Sequence, residues 1–125
     1  VEEQSLYGRV GGQAFFDDLV ERFYEGVVCD ELLRPMYPDD LEESRRHLAL
    51  FFAQYWGGPR SYEEVRGHPR LRMRHAAFRI TKRARDAWLL HMTAAVNAVS
   101  DRLSPEDYEE MVAYFEMAAH QLRNV

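Results

Sequence analysis

Gln13-Ala14-Phe15-Phe16-Asp17-Asp18-Leu19-Val20-Glu21-Arg22-Phe23-Tyr24-Glu25-Gly26-Val27-Val28 decides the fold class. Phe15, Phe16, Leu19, Val20, Phe23, Tyr24, Val27 and Val28 recur at three-four spacing, while Asp17, Asp18, Glu21, Arg22 and Glu25 fill the other side. That periodicity predicts an amphipathic helix with one face turned to a core. Leu41 to Trp56 repeats the pattern with Leu41, Leu48, Phe51, Phe52, Tyr55 and Trp56, and Gly57-Gly58-Pro59 stops it. Thr81 is the expected N-cap of a third helix, Lys82 to about Ser100, with a stripe of Ala84, Trp88, Met92, Ala95, Val96 and Val99. Ser104-Pro105-Glu106-Asp107 opens a fourth: a capping serine, a proline with no amide to lose, then acids at the positive helix end. That helix is expected to bury Tyr108, Met111, Val112, Phe115, Ala118, Ala119 and Leu122. Short helices are expected near Glu31 to Met36 and Arg70 to Ala76. Nothing alternates with period two long enough to be a strand, so the chain reads as one all-α domain over residues 1–125.

Composition agrees and removes several function classes. A chain of 125 residues suits one domain of roughly 100–200 residues. Its 46% hydrophobic and 30% charged residues are those of a globular protein, not a disordered one. Sixteen Lys and Arg against 21 Asp and Glu leave a net charge of −5, which speaks against coating nucleic acid by bulk charge. A single cysteine, Cys29, cannot close an internal disulfide. The longest uncharged apolar-rich run, the 14 residues 87–100, is short of the ~18–20 that a membrane span needs. Val1-Glu2-Glu3-Gln4 has no basic or apolar leader character, so a cytoplasmic protein is expected.

One segment breaks the rhythm. Between Gly58 and Thr81 the periodicity loosens, and residues 66–85 carry eight basic side chains and no acidic one. Concentrated positive charge on loosely patterned backbone suggests a site for an anionic group. Without interleaved aromatics or an RNA-module motif, a nucleic-acid patch is not expected.

Within that segment lies His75. Leu71 and His75, four apart, share a face of a short helix, with Arg72, Arg74 and Arg79 beside it. Two readings stand: a partly buried structural histidine, or a metal ligand whose neighbouring cations disfavour its protonation. No second His, Cys or carboxylate lies at metal-pair spacing, so a zinc site built only of protein ligands is not expected. A lone ligand suits a metal that brings its own equatorial donors, as haem iron does. Tyr24 and Trp88 sit inside apolar stripes, and with Tyr37 they either reach backbone or water, or converge on a small polar ligand. An unsatisfied buried hydroxyl costs roughly 1–3 kcal/mol, so partners are required either way. His47, beside Leu48, reads as a pocket-rim or surface residue; His68 reads as a turn residue; His91 and His120 receive no role. No phosphate loop, nucleophile elbow or acid–base carboxylate pair is present.

Tyr7-Gly8-Arg9-Val10-Gly11-Gly12, Arg22-Phe23-Tyr24, Met36-Tyr37-Pro38, Gln54-Tyr55-Trp56-Gly57-Gly58-Pro59-Arg60, Gly67-His68-Pro69-Arg70-Leu71-Arg72-Met73-Arg74-His75 and Asp86-Ala87-Trp88-Leu89 occur in this order. With them, from about Leu6 to Leu122, the chain resembles a group II truncated haemoglobin, the O type of actinobacteria and other bacteria. The resemblance implies a truncated globin fold, a two-over-two helical sandwich around one haem b. His75 matches the proximal iron ligand, and Tyr24, Tyr37 and Trp88 match the distal hydrogen-bonding trio. Ser44 matches the distal-helix position where oxygen-storage globins carry histidine, and Leu48 the apolar residue over the iron. Arg74, with Arg72 or Arg79, would pair with the haem propionates. Phe23, His47, Leu71, Phe78 and Met92 complete the expected cofactor contacts.

What the resemblance implies functionally is binding of dioxygen or another diatomic ligand with slow release. Each ordinary hydrogen bond contributes roughly 0.5–1.5 kcal/mol, and more toward a charged acceptor. A redox enzyme, a nitric oxide dioxygenase or peroxidase-like, is the alternative; it would need a separate reductase, since no flavin or nicotinamide domain is present. A homodimer is compatible with either. A third reading, a haem-free interaction module using residues 66–85, predicts colourless protein and salt-sensitive binding of an anionic partner.

Overall fold

The computed structural model describes residues 5–68, 70, 75 and 79–125. Among them the regular structure is helical, without a strand: α1 (Leu6–Arg9), α2 (Gln13–Val28), a 3-10 turn (Arg34–Met36), α3 (Glu42–Tyr55), α4 (Ser61–Arg66), α5 (Lys82–Ala98), a second 3-10 turn (Ser100–Arg102) and α6 (Pro105–Leu122). Helix α2 packs on both α3 and α5, and α5 packs on α6. Two helix pairs, α2 with α3 and α5 with α6, therefore lie over one another.

The α2 face expected from spacing is buried through Val27, with Phe16, Leu19, Phe23 and Val27 at 0% exposure. Val28 is a correction: it is 48% exposed, because the helix ends there and the next turn leads away. Tyr55 is another, at 51% exposure, one position past the buried α3 face formed by Ala49, Phe51, Phe52 and Ala53. Both expected caps are in place. Thr81 Oγ1 accepts from the Ala84 amide at 3.1 Å, and Ser104 Oγ from the Asp107 amide at 3.1 Å. The third helix is shorter than expected, ending at Ala98 in a 3-10 turn.

Two elements were not legible as helices. Helix α1 is only four residues long, too short for a periodic signal. Helix α4 falls in the segment read as loose, where Arg60 Nε donates to Glu63 at 2.8 Å and Gln54 Oε1 accepts from the Glu63 amide at 3.1 Å. The expected helix over Arg70 to Ala76 lies outside the described residues apart from Arg70 and His75; His75 itself is helical.

Gly57 and Gly58 allow α1 to close on the end of α3. Gly57 sits at φ 103°, and a Cβ there would come within 2.6 Å of Ser5; one on Gly58 would come within 2.6 Å of the Tyr7 ring. The close approach lets the Tyr7 amide donate to the Trp56 carbonyl at 3.0 Å. Arg9 then pairs with the buried Asp107 carboxylate, Nη2 to Oδ1 at 2.8 Å, tying α1 to the start of α6. Buried Asp107 carries no apolar signal, so it was missed among the core residues.

Candidate functional site

A cavity opens between the helix pairs. Its lining draws on every major helix: Tyr24 from α2; Leu33, Met36 and Tyr37 from the loop beyond it; Leu48, Phe51 and Phe52 from α3; Ala84, Arg85 and Trp88 from α5; Tyr114, Ala118, Ala119 and Leu122 from α6. His75 and Ile80 complete it. The space free of protein atoms is about 970 Å³, open mouth included. Cofactor and ligand sites have mostly apolar walls and a few convergent polar groups, as this lining does.

The polar groups are held in place. Tyr24 is 3% exposed, and its ring meets Tyr37 edge to face at 5.6 Å and Phe23 at 5.1 Å. Phe23 in turn contacts Trp88 at 5.5 Å, so it stands behind the polar residues and not on the lining. Burial drives the Tyr24 hydroxyl pKa up strongly; the neighbouring Tyr37 adds to this, while Arg45 and a hydrogen bond with Ser44 pull the other way. Burial pushes Tyr37 up to about 12, opposed by a hydrogen bond with Trp88. An indole only donates, so Trp88 Nε1 gives its proton to the Tyr37 oxygen. Both phenols therefore keep their protons across the physiological range.

On the other wall-forming segment, the chain end braces the backbone around His75. Ile80 donates its amide to Asn124 Oδ1 at 2.9 Å and accepts the Asn124 amide at 3.0 Å, and Asn124 Nδ2 approaches the His75 carbonyl at 3.5 Å. Arg85 is the cation on the lining. Its Nε reaches Asp86 at 3.1 Å and its Nη1 meets His120 Nδ1 at 3.2 Å, which makes that imidazole nitrogen the acceptor.

Several expectations are relocated by these positions. Met92 is wholly buried in the core beneath the lining, not on it. Ser44 and His47 are half-buried on α3 outside the lining; Ser44 serves Tyr24, and His47 Nδ1 accepts from Arg66 at 3.3 Å. Leu71, Arg72, Arg74 and Phe78 lie outside the described residues, and Arg79 is exposed. Arg85 and Tyr114 were missed. Arg85 was legible, three residues before Trp88 and so on the same face, but its charge had assigned it to the basic cluster. Tyr114, three residues after Met111 and four before Ala118, shares the face of the stripe expected for α6 but is not among the residues named for it. His91, given no role, holds Asp30 at 2.7 Å. Among the described residues no group of three or more His, Cys, Asp or Glu could hold a metal ion, and no helix is long and apolar enough to cross a membrane.

Comparison with known proteins decides the family. The bacterial-like globin model matches residues 5–121. This chain belongs to the bacterial-like globin family. The globin is 41% identical over 113 residues to the group 2 truncated hemoglobin YjbI of Bacillus subtilis, covering 90% of this chain and 84% of that one. It superposes on the hemoglobin of the thermophilic phototroph Chloroflexus aurantiacus with a TM-score of 0.94 at 47% identity, covering 98% and 100% of the two chains. A truncated oxygen-avid haemoglobin from Bacillus subtilis gives 0.89 at 39% identity, over 97% and 100%. The two-over-two helical arrangement is thus a truncated globin fold, and the family binds haem and small diatomic ligands.

The residues present fit such a group. A flat macrocycle needs apolar walls, an axial donor, a cation for its carboxylates and donors where a gas would bind. The cavity supplies aromatic and aliphatic walls, His75, Arg85, and the Tyr24, Tyr37 and Trp88 trio.

Proposed function

We propose that this globin holds haem b with His75 as the protein ligand to iron, and that Tyr24 and Tyr37, the latter oriented by the Trp88 indole, grip dioxygen or another diatomic gas so that it leaves slowly. One observation carries the reading: His75 lines the same cavity as all three donors. Ferrous haem would supply reversible capture of the gas; the rest of the work belongs to side chains.

His75 offers one ring nitrogen to iron, while bracing of its backbone by Asn124 fixes where the ring emerges. Tyr37 accepts from the Trp88 indole, which leaves its own O–H pointing elsewhere, free to donate into the cavity. Tyr24 shares a hydrogen bond with Ser44. A hydroxyl that accepts one hydrogen bond donates a stronger one. Toward an acceptor carrying negative charge, each such bond is worth roughly 1.5–3 kcal/mol, and about 1.4 kcal/mol is a factor of ten in release rate. Bound gas of that character is held; carbon monoxide, which gains little charge, is held less. The oxygen-avid relative supports the same reading.

Slow release suits chemistry on the held gas better than delivery. Turnover of nitric oxide or peroxide would need electrons from a separate reductase or a reducing substrate. Stopped-flow release of oxygen tests the grip. Trp88→Phe, which removes the donor that turns the Tyr37 O–H into the cavity, is expected to speed release roughly tenfold or more. A variant that released oxygen at the parental rate would refute the role given to Trp88.

A further inference from the structure

We propose that Arg34 is a positioning residue for gas binding: its guanidinium grips three successive carbonyls, holds the Tyr37 phenol in the cavity and so sets how tightly oxygen is kept relative to carbon monoxide. The proposal rests on the haem reading above and adds to it a residue that stands off the cavity lining.

Arg34 opens the 3-10 turn that leads to Tyr37, and its carbonyl accepts the Tyr37 amide at 3.2 Å. Its side chain folds over the residues that follow. Nη1 is shared between the Tyr37 and Pro38 carbonyls at 3.4 and 3.0 Å, and Nη2 donates to the Asp39 carbonyl at 2.9 Å. Three main-chain oxygens, not a carboxylate, thus take up the guanidinium. Tyr37 leaves the turn extended, at φ −116° and ψ 155°, the conformation that a following proline favours. Residues 37–39 belong to no helix, so their carbonyls have no ladder to join. A planar fork of five N–H donors spans them where a single point donor would not.

The far end of Tyr37 is held from α5. Its phenol oxygen accepts from Trp88, and its ring meets Tyr24 edge to face at 5.6 Å. Backbone grip and indole bond together fix where the remaining O–H points. Without the backbone grip the ring can back out of the cavity, and the direction of that O–H is lost with it. Bound oxygen gathers more negative charge than bound carbon monoxide, so a misdirected donor costs oxygen more. The start of the same loop is tied separately. Asp30 accepts the Leu32 and Leu33 amides at 2.9 and 3.1 Å and pairs with His91 at 2.7 Å. Removing the guanidinium therefore loosens the Tyr37 end alone, and the fold should persist.

The experiment compares the haem-loaded parent, its Soret band verified first, with Arg34→Gln, Tyr37→Phe and the double variant. Arg34→Gln should speed amide hydrogen exchange in the peptide spanning residues 37–41, while peptides of α2 and α5 exchange as in the parent. The infrared C–O stretch of its carbon monoxide complex should broaden and move to higher frequency. Oxygen should leave roughly three- to tenfold faster, as for the loss of one ordinary hydrogen bond, with carbon monoxide release nearly unchanged. In the Tyr37→Phe background the same substitution should move neither the C–O band nor oxygen release, because Arg34 acts through the phenol. A parental C–O band and release rate in Arg34→Gln would overturn the proposal. So would an equal acceleration with Tyr37 already replaced, which would make Arg34 a prop of the fold only. A parent with no Soret band would overturn the haem reading, and the gas-binding role of Arg34 with it.

Discussion

Gly26 shows how one residue links the core to the site. A Cβ at this position would lie 2.4 Å from His91 Nδ1, and His91 is anchored by Asp30, whose carboxylate also accepts the Leu32 and Leu33 amides at 2.9 and 3.1 Å. Glycine inside a helix ordinarily costs about 1 kcal/mol relative to alanine. Overpacking a filled site costs about 1–3 kcal/mol, so the steric cost should win. Gly26→Ala is expected to lower the urea midpoint, and the same change in a His91→Ala background should raise it. No sequence pattern hints at this, because a helix-interior glycine and a stripe-margin histidine show their contact only once α2 and α5 pack. The same holds for Tyr114 and Tyr55: period alone sent Tyr55 to the core face, and packing sent it outward. Tyr24, Tyr37 and Trp88 were legible because buried polar aromatics announce a need for partners.

Helices declare themselves where length allows. Helix α2 is bounded as its apolar period implies, and α6 starts where Ser104 and Pro105 say it must. Substituting Ser104 by Ala removes the acceptor for the Asp107 amide and should cost about 1 kcal/mol in urea unfolding. An unchanged midpoint would mean that the cap adds nothing. Helix α4 was hidden because six residues make less than two turns, and its Gln54 and Arg60 tethers come from outside its own pattern. The loop from Asp30 to Leu41 has no period either, yet it delivers Leu33, Met36 and Tyr37 to the cavity.

At the scale of the molecule, charge sets the acid limit. Three carboxyls are held below their usual pKa of 3.8. At Asp107 the Arg9 hydrogen bond leads; at Asp30 the His91 hydrogen bond leads; at Asp18 burial raises the value but Arg102 and Arg22 outweigh it. A depressed folded-state value adds stability above the unfolded value and loses it as pH falls through the folded one. These three should therefore add no slope to the urea midpoint between pH 7 and 5, and a downward one below about pH 4. Arg9→Gln should flatten that acid slope; an unaltered slope would exclude the Arg9–Asp107 pair as its source.

The architecture as a whole was readable from four amphipathic stripes and their stops, and the cavity follows from how those stripes meet. The absorption spectrum of the reduced protein under carbon monoxide, taken for the parent and for His75→Gly with and without added imidazole, puts the whole account at risk. The parent should show the sharp Soret band of a histidine-ligated haem, His75→Gly should lose it, and free imidazole should bring it back. A colourless parent, or a His75→Gly spectrum matching the parent's without imidazole, would contradict the account.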